Sequence, residues 1–146
     1  LENGKSEKGT RISLFCVTFS HYQLIKMAAI QKFEDLTVWK MGLALAIDVY
    51  KTLADCKDYG LRDQMQRSSV SIPSNIAEGF EREYNKEFIR FLKVSKGSAG
   101  ELRTQIYIAI GIGIIDNELG EVLLDKSRHI SSMLRNLIKV RETQFS

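Results

Sequence analysis

From residue 35 onward, apolar residues recur along the chain at helical spacing. Leu36, Trp39, Leu43, Ile47, Tyr50 and Leu53 step by three or four positions, the repeat of one helix face, and Asp35 stands where an N-cap belongs. This predicts a first helix to about Asp55, closed by the turn-like D-C-K-D-Y-G at residues 55–60. Leu61, Met65, Ser69, Ile72, Ile76 and Phe80 carry the spacing straight through Pro73, the only proline of the chain. An interior proline removes one backbone hydrogen bond and costs roughly 3 kcal/mol, so it either ends a helix or bends it. Asn75 and Glu78, three residues apart, imitate the capping box of a fresh start. The unbroken apolar phase points instead to one bent helix, with Ser68, Ser69 and Ser71 placed to satisfy the backbone groups that the proline frees.

A polar link near Arg82 to Asn85 precedes a third helix, on which Phe88, Phe91, Leu92, Ser95, Ala99, Leu102, Ile106, Ala109 and Ile110 face inward. Within it lies G-S-A-G at residues 97–100. Glycine in a helix interior costs about 1 kcal/mol against alanine, so close approach of a neighbouring backbone at Gly97 and Gly100 is the expected compensation. After Gly111, Gly113 and the turn I-D-N-E at residues 115–118, a fourth helix runs from about Glu118 to Arg141, with Val122, Leu123, Ile130, Met133, Leu134, Leu137 and Ile138 inward. Four helices joined by short links predict an all-α fold, an antiparallel up-down-up-down four-helix bundle over residues 33–141 with a proline-bent second helix and a short tail at residues 142–146.

The first 32 residues depart from this pattern. L-E-N-G-K-S-E-K-G-T is polar, as a disordered tail would be, and the apolar run after Arg11 is short and lacks a cleavage-type site. Met27 opens a credible natural start, so residues 1–26 are expected to lie upstream of it. At 146 residues the chain suffices for one domain with a core that needs no staples. The longest uncharged apolar run, I-Y-I-A-I-G-I-G-I-I at residues 106–115, is half of what a membrane span requires. Cys16 and Cys56 are far apart without C-x-x-C spacing, which points to reduced thiols in a cytoplasmic protein rather than a zinc site.

The formal net charge is +3, but residues 1–26 carry +2 of it through Lys5, Lys8, Arg11 and Lys26 against Glu2 and Glu7. Bulk charge is therefore no argument for a polyanion partner, and only patches can supply one. Two stripes qualify: Arg82, Lys86, Arg90 and Lys93 recur by four, four and three, and Arg128, Arg135 and Lys139 share a face of the fourth helix. Their bland reading is a solvated face, since Glu83 and Glu87 are interspersed; their functional reading is phosphate contact. Chemistry beyond charge is thin. His129 lacks partners for acid–base work, G-I-G at residues 111–113 lacks a phosphate-loop lysine, and Glu78 is better placed to pair with Arg82 at i, i+4 than to join Glu101 in a metal site. No enzymatic activity and no cofactor are expected.

Q-M-Q-R-S-S-V-S-I-P-S-N-I-A-E-G at residues 64–79, F-E-D-L-T-V-W at residues 33–39, K-E-F-I-R-F-L from Lys86 and G-S-A-G-E-L from Gly97 resemble the four-helix-bundle proteins encoded within intervening sequences of bacterial 23S ribosomal RNA genes. The resemblance covers residues 33–140. It implies an antiparallel bundle that assembles into a ring, a pentamer, without enzymatic activity. Proteins resembling this family also include accessory variability proteins of diversity-generating retroelements, which associate with nucleic acid and a reverse transcriptase. Gln66 and Ser68 stand where the family commonly shows arginine and alanine, so one basic charge of the second helix is missing here. Together these features predict a homo-oligomeric scaffold that binds structured RNA or DNA through Arg67, Arg82, Lys86, Arg90 and Lys93, joined by Arg128, Arg135 and Lys139. The competing expectation is a protein-interaction module that docks a partner enzyme such as a reverse transcriptase.

Overall fold

Two aspartates start two of the four helices. In the computed structural model, which describes residues 30–144, Asp58 Oδ1 accepts from the Leu61 amide at 3.0 Å and Asp116 Oδ1 from the Leu119 amide at 2.8 Å. Each satisfies an amide that the first helical turn leaves without a partner. The helices are α1 (Thr37–Thr52), α2 (Tyr59–Glu81), α3 (Asn85–Gly111) and α4 (Asn117–Gln144), preceded by a single 3-10 turn at Phe33–Asp35. They pack as one compact unit beginning at Lys32, and no strand occurs among the described residues. The expectations for residues 1–29 lie outside the described residues.

Asp35 does not cap α1. It closes the 3-10 turn, and Leu36, whose carbonyl accepts from the Lys40 amide at 3.1 Å, occupies the cap position without a side-chain bond. At the other end of the bundle, α4 runs past Arg141 to Gln144, and Glu142 in this last turn pairs with Lys93 of α3 at 2.7 Å.

The proline lies inside one uninterrupted helix. It is buried, and a Cβ added to Gly42 of α1 would stand 3.5 Å from the Pro73 nitrogen and 3.2 Å from Ile72 Cγ2. Gly42 thus brings α1 close against the point of α2 that has no N–H to bury. The hydroxyls expected to mend the break do something else: Ser69 Oγ donates back to the Gln66 carbonyl at 2.8 Å, and Ser68 Oγ reaches Gln105 Oε1 of α3 at 2.6 Å. The Ser71 carbonyl accepts from Asn75 Nδ2 at 2.7 Å and the Ile72 carbonyl from Ser95 Oγ of α3 at 2.9 Å, while the carbonyl that the proline itself leaves without an amide is that of Ser69, four residues earlier.

Contacts run in opposite order along α2 and α3. Gly79 meets Phe88 and Phe91, Ser71 meets Ser98 at 2.8 Å, and Ser68 meets Gln105. The same holds for α3 and α4, where Asn85 Nδ2 donates to Arg141 O at 3.1 Å, Ser127 Oγ to Ala99 O at 3.0 Å, and Gly120 abuts Ile110. Gly97 and Gly100, by contrast, do not admit a neighbouring backbone. Nothing lies within 4 Å of a Cβ placed on Gly97, and only the Arg103 side chain, at 3.7 Å, is near one on Gly100. The close approach falls on Ala99 between them, through the Ser127 bond.

The core consists of fully buried Leu45, Met65, Ile72, Ile76, Leu92, Leu102, Ile106, Leu124, Ile130 and Leu134 among others, each burial contributing about 1.5–3 kcal/mol. The expected inward faces of α2 and α3 hold. On α4 the expected face holds except at Val122, which is exposed, and Leu124 and Ser127 are buried beside it. On α1 it holds only in part: the flanking Leu36 and Leu53 are buried as expected, but Leu43, Ile47 and Tyr50 are exposed, and Val38, Gly42, Leu45, Ala46 and Val49 face the core instead. Trp39 packs edge-on against Phe33 at 5.1 Å rather than in the core.

Candidate nucleic-acid interface

The first basic stripe is divided and largely engaged. Arg82 belongs to the link after α2, separated from α3 by Glu83 in a left-handed conformation (φ 64°), so it does not continue the α3 face of Lys86, Arg90 and Lys93. It pairs with Glu78 at 2.7 Å, Arg90 with Glu87 at 3.2 Å and Lys93 with Glu142 at 2.7 Å. The Arg82 and Arg90 guanidinium groups also both lie over the Phe91 ring, at 5.3 and 4.9 Å from its centroid. These groups form an ion-paired, aromatic-backed surface in which opposite charge offsets much of the field. Lys86 is exposed and has no ion pair among the described residues, and the same is true of Arg67 on α2 and Lys139 on α4.

The second stripe is part of a larger constellation. Arg128 and Arg135 of α4 face Lys96 and Arg103 of α3 across an open groove of about 350 Å³, also lined by Ser131 and Ser132. Four cations and two hydroxyls line it, and no carboxylate does. Lys96 and Arg103 are seven residues apart, two helical turns, so they share a face of α3. Gly100 stands between them and contributes no side chain.

Hydroxyls of α4 fix the arginine fork. Arg103 Nη1 donates to Ser131 Oγ at 2.6 Å, to the Ser127 carbonyl at 3.3 Å and to Ser127 Oγ at 3.4 Å. Arg128 is held at three points, by Asp125 at 2.7 Å, by Tyr107 Oη at 2.7 Å and by Glu121 at 3.4 Å. The hydrogen bond to Asp125, followed by that to Tyr107, raises its pKa further and keeps it cationic. Lys96, Arg103 and Arg135 have no ion pair among the described residues, so they supply the uncompensated positive charge of the groove. Arg135 makes one weak contact, to Ser132 Oγ at 3.5 Å. Such an arrangement is suited to phosphate: planar donors aimed at oxygen acceptors, with neutral hydroxyls in place of competing carboxylates.

Periodicity along single helices found Arg128 and Arg135 but missed Lys96 and Arg103, which join them only when α3 and α4 pack together. His129 is exposed on α4. Among the described residues no cluster of His, Cys, Asp and Glu is arranged to hold a metal ion, and no helix is long and apolar enough to cross a membrane.

No curated protein matches the chain. Among solved structures it is similar to a protein of unknown function from the S23 ribosomal protein family of Bacteroides thetaiotaomicron VPI-5482, at 27% sequence identity and a TM-score of 0.67, covering 70% of this chain and 99% of the other. The family model described as 23S rRNA-intervening sequence protein matches residues 34–136, a span that takes in all of α1, α2 and α3 and most of α4. With that match spread over all four helices, the chain belongs to the 23S rRNA-intervening sequence protein family.

Proposed function

We propose that the protein is a non-enzymatic nucleic-acid-binding scaffold, whose target is structured RNA and whose phosphate contacts are centred on the α3–α4 groove. The observation that carries this reading is the set of three cations, Lys96, Arg103 and Arg135, that have no ion pair among the described residues and line a groove to which those residues bring no carboxylate. Lys139, four residues beyond Arg135, extends the strip along α4, while Lys86 and Arg67 are outlying contacts. Each phosphate neutralised by a cation releases counterions, with log K falling by about 0.7 per contact for each unit of log salt on a single strand.

Three groove contacts therefore predict a slope near −2 and a loss of roughly twenty-fold in affinity between 50 and 200 mM salt. A fluorescence-polarisation titration of a structured RNA at those two salt concentrations tests it. Lys96→Gln with Arg135→Gln should weaken binding and flatten the slope by about one to two units. No binding at low salt, or an unchanged slope in the double variant, would refute it.

A second observation favours association with protein. Leu43, Ile47 and Tyr50, 40%, 46% and 48% exposed, form an apolar strip along α1 that no other helix covers among the described residues. Large exposed apolar surface marks an interface more often than a solvated face. In this reading copies of the chain associate through α1 into a ring, pentameric as the resemblance implies, and the ring multiplies the groove. In the alternative the strip docks a partner enzyme, such as a reverse transcriptase, and the ring is absent.

A further inference from the structure

The groove has an aromatic neighbour that phosphate binding alone does not use. Tyr107 stands on α3 one turn beyond Arg103 and three beyond Lys96, on the same face. Its side chain is 52% exposed, and its hydroxyl accepts the 2.7 Å hydrogen bond from Arg128 Nη2, a guanidinium that lines the groove. The ring is thus tethered at its polar end while half of its surface stays open to solvent. A tyrosine retained in that state offers a flat π-surface whose orientation is already fixed, so little side-chain freedom is lost when something stacks on it.

We infer that the α3–α4 groove takes single-stranded nucleic acid, holding consecutive phosphates on Lys96, Arg103 and Arg135 and stacking one unpaired base on the ring of Tyr107. This rests on the phosphate reading above and adds to it the form of the ligand. In a duplex the base faces are covered by their neighbours, and a side chain at the backbone meets only phosphate and sugar. In a single strand, loop or bulge, a base can splay out and stack, and such stacking tolerates any sequence because every base has a π-face. Lys96 and Arg103 are about 10 Å apart along α3, and Tyr107 lies about 6 Å further on. Lys96, Arg103 and the Tyr107 ring therefore follow one line along α3, the order in which a strand would meet them, with Arg135 on the α4 wall of the groove.

The test uses the full chain and two probes of matched length, an unstructured single-stranded RNA and a perfect RNA duplex, each titrated by fluorescence polarisation at low salt. Tyr107→Leu should weaken single-strand binding about five-fold or more and leave duplex binding within about two-fold. Tyr107→Phe, which keeps the ring and loses only the hydroxyl, should retain most of the single-strand affinity. A 2-aminopurine placed in the single strand should be quenched by the parent and by Tyr107→Phe, but not by Tyr107→Leu. Equal losses for strand and duplex, or no loss for either, would overturn the inference. If Lys96→Gln with Arg135→Gln weakens both probes while Tyr107→Leu changes neither, the phosphate reading stands and the stacking inference falls. If the double variant binds both probes like the parent, the phosphate reading itself fails.

Discussion

Gly79→Ala and Gly97→Ala make the same chemical change in two helix interiors and should shift stability in opposite directions. Replacing a helical glycine by alanine gains about 1 kcal/mol of helix propensity wherever the new methyl fits. At Gly79 it does not fit: the added Cβ would stand 2.5 Å from Phe91 Cβ, 3.3 Å from Phe91 Cγ and 3.2 Å from Phe88 Cδ2. The obstructing atom is a β-carbon fixed to the α3 backbone, which no rotamer change can move, so α2 and α3 would have to separate. Overpacking of this kind costs about 1–3 kcal/mol. An immovable obstacle belongs in the upper part of that range, leaving a net loss of about 1–2 kcal/mol after the propensity gain. At Gly97, where nothing lies within 4 Å, the propensity term stands alone and the variant should gain about 0.5–1 kcal/mol. Urea denaturation followed by circular dichroism measures both, with thermal melting as a second readout at roughly 4 °C per kcal/mol for a unit of this size. A Gly79→Ala protein as stable as the parent, or a Gly97→Ala protein less stable, would refute the packing account of α2 against α3.

Two other perturbations address different links. Ile47→Glu places a charge in the exposed strip of α1; under the proposed ring reading it should lower the mass measured by light scattering without changing helix content, and an unaltered mass would refute association through α1. The Lys126–Asp48 pair, 2.6 Å apart but 46% and 34% exposed, should show a coupling below about 1 kcal/mol in a double-mutant cycle and lose it in 1 M salt; a larger, salt-resistant coupling would mean that the pair is shielded by another copy of the chain.

The helices that were legible in the sequence are those with one unambiguous face. On α3, every position from Phe88 to Ala109 expected inward is buried, because its apolar residues at three- and four-residue spacing form one continuous face, with Val94, Tyr107 and Ile108 as exposed exceptions outside it. On α1 the sequence T-V-W-K-M-G-L-A-L-A-I-D-V-Y is apolar nearly all round, and periodicity alone favours whichever face holds the larger residues. Packing turned the inward face by about a third of a turn, since Gly42 lets α2 come close at Ile72 and Pro73, and it left Leu43 and Ile47 exposed. Charge was legible only within a helix. The pairing of Glu78 with Arg82 could be read from its i, i+4 spacing, whereas Glu142 reaching Lys93 from 49 residues away could not, and it offsets a cation that the stripe counted as free. The groove was hidden for the same reason, because its two walls belong to different helices.

The hydroxyl of Ser127 on the carbonyl of Ala99 bears on how the two walls stay aligned. Apolar side chains alone are poor gauges of axial position, since leucine and isoleucine fill one another's places and a helix slid by a turn finds nearly equivalent neighbours. A hydroxyl–carbonyl bond is more exacting: a shift of one turn, about 5.4 Å, would part the Ser127 hydroxyl from the Ala99 carbonyl, at a cost of about 0.5–1.5 kcal/mol for the lost hydrogen bond. Ser95 on Ile72 and Ser68 on Gln105 index α3 against α2 in the same way. The serines thus behave as detents on a sliding scale. Small polar side chains behind the groove thereby favour the stagger that sets Arg103 opposite Ser131 and Lys96 on the wall facing Arg135.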